Sequence, residues 1–421
     1  MDRLIINGGK QLKGTISVSG SKNATLPIAV AAAILADSSS VIHNVPNLND
    51  IESLCAVLEV LGATTKLENS TLYIEPGDRS AYEAPYDLVR KMRASIYVLG
   101  PLVARLGLAK VSFPGGCAIG PRPVDLHIKG LQQLGAEVEI DSGYIIARTS
   151  GLVGAEMYLR GPHGSSVGAT ANVMMAATLA EGKTIIRGAA CEPEVADLAN
   201  FLNAMGADIE GVGTSTLTIH GVKQLHGTEY TVISDRIEAG TFMVAGAITK
   251  GDVFVKDAPA QHLGATSEKL IEAGVQLDWT DDGVRVRTPR GFQAVHIATD
   301  TYPGFPTDMQ AQMMGLLSIT PGISTITEGI YLDRFMHASE LNRMGADIRV
   351  EGNHAVVRGK LRLSGAPVMA SDLRAGAVLV LAGMAAVGET VVSRIYHIDR
   401  GYEGIEQKLA GIGADIIRVR D

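Results

Sequence analysis

Six times along the chain an amphipathic segment ends in the same small signature: Leu61-Gly62-Ala63, Leu134-Gly135-Ala136, Met205-Gly206-Ala207, Ala273-Gly274-Val275, Met344-Gly345-Ala346 and Ile412-Gly413-Ala414. The glycines lie 73, 71, 68, 71 and 68 residues apart, a spacing too regular for chance. Before each glycine the apolar positions recur with helical period, as from Asp50 to Leu61 and from Ala196 to Met205. The glycine is the expected left-handed residue after the helix C-terminus. After it, apolar and polar positions alternate in two short runs around a turn, as in TTKLENSTLYIEP (64–76) and VQLDWTDDGVRVRT (275–288), which predicts a pair of strands. A nearly all-apolar helix opens most copies, for instance Ala24 to Ala36, Ala169 to Ala180 and Ala375 to Ala386. With no polar face, these helices are predicted to be buried on all sides. The fold class is α/β, one unit of strand and helix layers repeated six times.

The sixth copy stops at Asp421 after its first strand, so its sheet lacks a closing partner. The apolar segment Leu4-Ile5-Ile6, at the other end of the chain, is the candidate. That pairing would make one domain discontinuous. Three copies per domain is the symmetric division: residues 1–21 with 234–421, and residues 22–233, with crossings near Ser21-Lys22 and near Ile233 to Asp235.

At 421 residues the chain has ample length for large cores. Its net charge of -8 argues against a general nucleic-acid binder, yet leaves room for a local basic pocket that takes a small anion. Three cysteines spread far apart form no disulfide framework, which points to a reducing, cytoplasmic setting. The start, MDRLIINGGK, has no apolar targeting core, and the longest apolar run, Leu26 to Ala36, is interrupted by Pro27 and too short to span a bilayer. No membrane partner is expected. No Walker loop, HExxH or Cys/His metal spacing occurs, so neither a metal nor a redox cofactor is indicated. Gly211-Val212-Gly213 sits in a predicted hairpin with no helix after it, and reads as a turn rather than a dinucleotide fingerprint.

Residues Ser112 to Leu126, SFPGGCAIGPRPVDL, carry the most pointed chemistry. Pro114, Gly115, Gly116, Gly120, Pro121 and Pro123 forbid a regular helix or central strand, so Cys117 lies on a surface loop, with Arg122 five residues on. A guanidinium nearby favours thiolate over thiol and also suits phosphate or carboxylate. Composition alone leaves two readings, a reactive thiol or an incidental surface cysteine. Cys55 lies on an apolar stripe with Ile51, Leu54, Leu58 and Leu61 and reads as a small core residue. Cys191 lacks both the glycine-rich setting and a basic neighbour, and reads as structural.

Eight pieces together make a family resemblance: GSKNATLP (20–27), MRAS (92–95), PGGCAIGPRPVDLHI (114–128), SVGAT (166–170), FPTDMQAQ (305–312), RFMH (334–337), SDLRA (371–375) and RIYHIDRGYE (394–403). In this order they resemble the UDP-N-acetylglucosamine enolpyruvyl transferases, from end to end of the chain. The resemblance implies two inverted α/β barrel domains, each built from three repeated βαβαββ-like units. It implies transfer of enolpyruvate from phosphoenolpyruvate to the 3'-hydroxyl of UDP-N-acetylglucosamine with release of phosphate, the committed step of peptidoglycan synthesis, by a cytoplasmic enzyme without a cofactor. A monomer is favoured.

The same resemblance implies the roles of individual residues. Cys117 is the acid that protonates C3 of phosphoenolpyruvate, and it can add to that substrate covalently. Asp308 orients or deprotonates the sugar hydroxyl; among several arginines its pKa would fall, making it a weak base. Lys22, Arg122 and Arg400 neutralise phosphate and carboxylate charge, and Asn23 contacts both substrates. The nucleotide is met by Arg122, Pro123, Val124, Asp125 and Leu126, and by Ser165, Ser166, Val167 and Gly168, whose amides at a helix start suit a diphosphate. Ile330 lies against the uracil or sugar, and Arg93, Arg334, Asp372 and Arg374 complete or brace the pocket. One position departs from the family pattern: Gly164, beside His163, stands where a lysine is common, and which group meets the diphosphate on that side is left open.

Each residue also has a plainer reading. Asp372 and Arg374 could be a surface pair, Lys22 and Asn23 no more than a helix start capped by Ser21 or Asn23, and His397 and Asp399 two residues sharing one face of a strand. Two rival functions remain on sequence grounds. One is a 5-enolpyruvylshikimate-3-phosphate synthase, a family that shares the fold and chemistry but lacks the loop thiol. The other is a catalytically silent paralogue that binds the sugar nucleotide.

Overall fold

The computed structural model of the chain describes residues 2–78, 80–90, 92–113, 124–162 and 164–420. By its internal contacts the chain divides into two compact units, one made of Met1–Ser19 with Ser234–Asp421 and the other of described residues between Gly20 and Ile233. Each has its own hydrophobic core.

The alternating segments become strands where the pattern predicts them. TTKLENSTLYIEP forms Thr64–Glu68 and Thr71–Glu75, and VQLDWTDDGVRVRT forms Gln276–Thr280 and Gly283–Arg287. Six four-stranded sheets result among the described residues, all with one arrangement. In the clearest case His296–Ala298 pairs parallel with Ile323–Thr327, which pairs antiparallel with His354–Arg358, which pairs antiparallel with Asp347–Glu351. A two-stranded ribbon, Arg160–Gly161 with Gly164–Ser165, is additional.

Sequence order breaks this scheme where the chain must close on itself. Arg3–Asn7 lies between Glu389–Ser393 and Asp415–Val419, antiparallel to both, with Leu4 opposite Val392 and Arg418. Leu4 and Ile6 are fully buried there. In the other unit Glu229–Thr231 supplies the parallel edge strand to Ser40–His43.

The six signature glycines, 62, 135, 206, 274, 345 and 413, all have φ between +90° and +102°. Only glycine reaches this region without strain, so the recurring sequence signature is a recurring backbone requirement. The apolar helices are the cores. Arg236–Ile248, Gln310–Leu317 and Leu373–Ala385 pack against one another in one unit, and Lys22–Ile34, Leu99–Leu106 and Val167–Ala177 lie in the core of the other. No helix among the described residues is long and apolar enough to cross a membrane.

Candidate active site

Asp308 lies in the short 3-10 turn Thr307–Met309, which runs straight into the helix Gln310–Leu317. Two arginines grip its carboxylate: Arg334 Nη1 donates to Oδ1 at 2.7 Å, and Arg374 Nη2 donates to Oδ2 at 3.1 Å. The arginine side chains are only 6% and 4% exposed, whereas Asp308 is 29% exposed, so the carboxylate is the face of the cluster that meets solvent. Burial pushes the Asp308 carboxyl up, but the two guanidinium charges outweigh it and hold the group well below the usual carboxylate range. Such a group stays an anionic hydrogen-bond acceptor and is a poor proton abstractor.

Local structure explains how each arginine arrives. Arg374 stands in the first turn of Leu373–Ala385, whose N-cap is Asp372; Oδ1 of that cap accepts from the backbone N–H of Arg374 at 2.9 Å and of Ala375 at 3.0 Å. The surface-pair reading of Asp372 and Arg374 is therefore corrected. Both are buried, the carboxylate serves the helix backbone, and the guanidinium serves Asp308 and Tyr402. Tyr402 Oη accepts from Arg374 Nη1 at 3.0 Å and from Gln312 Nε2 at 3.3 Å, and lies 2.9 Å from Thr241 Oγ1. The Arg374 guanidinium also stands 5.4 Å from the Tyr402 ring centroid.

In the other unit Lys22 opens the helix Lys22–Ile34, with Ser21 as its N-cap accepting from Ala24 N–H at 3.3 Å. A cation is disfavoured at that end of a helix dipole. Asp50 compensates, its Oδ2 lying 3.2 Å from Lys22 Nζ with both side chains largely buried. Pro27, inside the same helix, has no N–H to give the carbonyl of Asn23.

Residues 6–409 match the family model described as EPSP synthase (3-phosphoshikimate 1-carboxyvinyltransferase). The chain is 55% identical over 419 residues to the UDP-N-acetylglucosamine 1-carboxyvinyltransferase of Methylacidiphilum infernorum, covering 100% of this chain and 99% of that protein. It is 56% identical to the enzyme of that name from Trichlorobacter lovleyi, over the whole of both chains. The chain belongs to the UDP-N-acetylglucosamine 1-carboxyvinyltransferase family. Among solved structures, the enolpyruvyl transferase NikO from Streptomyces tendae superposes with a TM-score of 0.90 at 26% identity, covering 99% of each chain. An EPSP synthase from Acinetobacter baumannii, at 18% identity and a TM-score of 0.76 over 100% of each chain, shares the fold.

Against this carboxyvinyltransferase background the remaining site candidates fall as follows. Arg400 ends the 3-10 helix Ile395–Arg400 and is half-buried. His397 and Asp399 lie in that same 3-10 helix, which corrects their reading as strand neighbours; burial and the Arg400 charge push the His397 pKa down. Ile330 is placed by Glu328, a fully buried carboxylate whose Oε1 accepts from the Ile330 and Tyr331 N–H groups at 3.0 Å and from Thr299 Oγ1 at 2.6 Å. Its Oε2 accepts from Thr307 Oγ1 at 3.0 Å, tying the Ile330 turn to the Asp308 turn.

Val124 is the N-cap of Asp125–Gln133, which Asp125 and Leu126 open. Ser166 caps Val167–Ala177, its Oγ accepting from Ala169 N–H at 3.2 Å. Gly168 lets His127 approach: a Cβ there would stand 3.1 Å from the ring, which Asn172 Nδ2 holds at 3.0 Å. Ser165 pairs with Arg160 in the ribbon. Gly164 has φ +98°, where a lysine would be strained. Cys117, Arg122, Pro123, His163 and the Arg93 side chain lie outside the described residues. Cys55 is half-buried at the margin of the core rather than within it.

Sequence reasoning passed over Tyr402, Gln312, Thr241 and Glu328. Two of these carried a signal, because a glutamine and a threonine inside otherwise apolar helices must find polar partners when buried.

Proposed function

We propose that the protein transfers the enolpyruvyl group of phosphoenolpyruvate to the 3'-hydroxyl of UDP-N-acetylglucosamine and releases phosphate, opening peptidoglycan synthesis in the cytoplasm. The observation that carries this reading is the Asp308 carboxylate, held anionic by two buried arginines in a chain 53–56% identical over its length to carboxyvinyltransferases of that specificity. The sugar oxygen adds to C2 of phosphoenolpyruvate and gives up its proton, through Asp308 to solvent, as the C–O bond forms, while the Cys117 thiol gives its own proton to C3. The tetrahedral product then loses phosphate from C2 and a proton from the new methyl group, which returns to the Cys117 thiolate and restores the double bond.

Asp308 accepts a hydrogen bond from the 3'-hydroxyl and aims its oxygen at C2. Its depressed pKa favours orientation over full removal of the proton before the C–O bond forms. Lys22, Arg122 and Arg400 take the phosphate and carboxylate charge, with Asn23 between the substrates. Arg334, Arg374 and Asp372 brace Asp308, and Ile330 and the helix start at Ser165 to Gly168 receive the nucleotide, with Arg93 and the segment from Arg122 to Leu126. The six sheets are read as six copies of one βαβαββ-like unit, three in each of two inverted α/β barrel domains. The protein acts as a monomer.

Phosphate release from phosphoenolpyruvate, measured with UDP-N-acetylglucosamine and separately with shikimate 3-phosphate, tests the specificity. Release with the sugar nucleotide alone is expected. Release with the shikimate ester would assign the sister activity, and release with neither a silent binding protein.

A further inference from the structure

Arg400 sits on a short element that has little to hold it by itself. A 3-10 helix of six residues is weakly hydrogen-bonded, and this one is entered through Arg394 at φ +58° and left through Gly401. Its apolar side is fixed by packing: Ile398 is fully buried against Gly376, where a Cβ would stand 2.5 Å from Ile398 Cγ1. Its polar side is fixed from a distance in sequence. Arg418, on the last strand Asp415–Val419, donates from Nη1 to Asp399 Oδ2 at 3.1 Å and from Nη2 to Asp399 Oδ1 at 2.5 Å. The same guanidinium reaches past Arg400 to the next helix, its Nε donating to Glu406 Oε1 at 2.9 Å and its Nη2 to Glu406 Oε2 at 3.3 Å.

We propose that Arg418 is a positioning residue for Arg400, acting through its two-point grip on Asp399. Successive residues of a 3-10 helix point roughly 120° apart, so a fork that fixes the Asp399 carboxylate fixes the direction in which Arg400 leaves the backbone. Two parallel hydrogen bonds between planar groups define orientation as well as distance, which one bond from a lysine cannot do. Arg418, Asp399 and Glu406 are 21%, 25% and 10% exposed, so the grip is partly shielded from solvent. Tyr402, two residues beyond Arg400, is anchored independently by Thr241, Gln312 and Arg374. Arg400 is thus spanned by fixed points at Asp399 and Tyr402.

This inference rests on the reading that Arg400 meets the anionic groups of phosphoenolpyruvate. Steady-state kinetics with each substrate varied, on Asp399→Asn, Arg400→Ala and the double variant, test the two separately. Asp399→Asn is expected to lower kcat/KM for phosphoenolpyruvate by about tenfold, since a displacement near 1 Å is costly in a preorganised site, and to leave KM for the sugar nucleotide unchanged. In the Arg400→Ala background the same substitution should have no further effect. Arg418→Lys should recover part of what Arg418→Gln loses. Asp399→Asn keeps the Arg418–Glu406 pair, so it still decides the matter if Arg418→Gln does not fold. Wild-type phosphoenolpyruvate kinetics in Asp399→Asn beside an impaired Arg400→Ala, or equal losses from Asp399→Asn in both backgrounds, would overturn the positioning role alone. Wild-type kinetics in Arg400→Ala would overturn the reading of Arg400, and this inference with it.

Discussion

At Asp308 the chemistry of one carboxylate is decided by two guanidinium groups that arrive from 26 and 66 residues away. Removing the charge withdraws the anionic acceptor that aims the sugar hydroxyl, so Asp308→Asn should lower kcat and kcat/KM together, by roughly a hundredfold or more. A raised KM for the sugar nucleotide with normal kcat would demote Asp308 to a binding residue. The depressed pKa also has a direction that can be measured. Asp308 stays ionised at and above its ordinary carboxylate range, so it should add no acid limb to the pH profile near neutrality. Arg374→Gln removes one of the charges that holds the pKa down, and the acid limb of kcat/KM should then move to higher pH; an unmoved limb would argue against the coupling. The thiols make a contrast. Cys117→Ala should bring turnover close to zero, whereas Cys117→Asp, which keeps a proton donor, should retain some activity and lose sensitivity to epoxide alkylators such as fosfomycin. Burial raises the thiol pKa of Cys55 and of Cys191, so less reactive thiolate is present at either, and Cys55→Ala and Cys191→Ala should leave the epoxide reaction unchanged. Full turnover in Cys117→Ala would sink the assignment of the acid.

Elements near the two chain crossings are tied down by buried carboxylates. Glu238, in the first turn of Arg236–Ile248, accepts from Ser19 N–H at 2.5 Å and from Lys408 Nζ at 2.8 Å. Burial pushes its pKa up to about 7 against the pull of Lys408. Asp197, on Pro193–Ala204, accepts from Tyr230 Oη at 2.6 Å and from Ile233 N–H at 3.3 Å, and burial pushes it up to about 6. In the unfolded chain both would titrate near pH ~4. Between that pH and the folded value the native state holds a proton that the unfolded state has lost, so these groups stabilise most at low pH and the contribution is lost as pH rises through about 6 to 7. Unfolding free energy measured in denaturant should therefore decline over this window, and Glu238→Gln and Asp197→Asn should each flatten the decline; a slope unchanged in both would refute the shifts. At this scale the apolar pattern locates the helices and the caps set their ends. The predicted Ala24 to Ala36 and Ala375 to Ala386 helices are Lys22–Ile34 and Leu373–Ala385, displaced by one or two residues because capping by Ser21 and Asp372, rather than apolar content, sets where they begin.

Over the whole molecule, the first strand matters more than its terminal place suggests. Arg3–Asn7 is an inner strand of its sheet, so removing residues 1–7 would open two ladders and expose the core around Leu4 and Ile6. Thermal melting of the truncated chain should show a large loss of stability or no folded protein, and Ile6→Ala alone should cost about 2–5 kcal/mol; an unchanged melting temperature after truncation would mean that the strand is dispensable. The period of the repeat, the glycine turns, the buried helices and the strand pairs were legible in the chain itself, because each depends on side-chain periodicity and backbone preference over a few consecutive residues. Three of the quoted pieces, FPTDMQAQ, RFMH and SDLRA, hold Asp308, Arg334 and Arg374, which the structure brings together. Which side chains meet was decided by tertiary packing. Neighbourhood in sequence pointed Arg374 toward Asp372, two residues away, yet the carboxylate turned to the helix N–H groups and the guanidinium to Asp308 and Tyr402. Glu328 and Tyr402 gained their roles in the same way, as buried polar groups that had to find partners among whatever the packed helices and strands brought within hydrogen-bond reach. Local patterning is a property of short stretches of chain, whereas the partner and charge state of a buried group are set by residues that only the fold makes its neighbours.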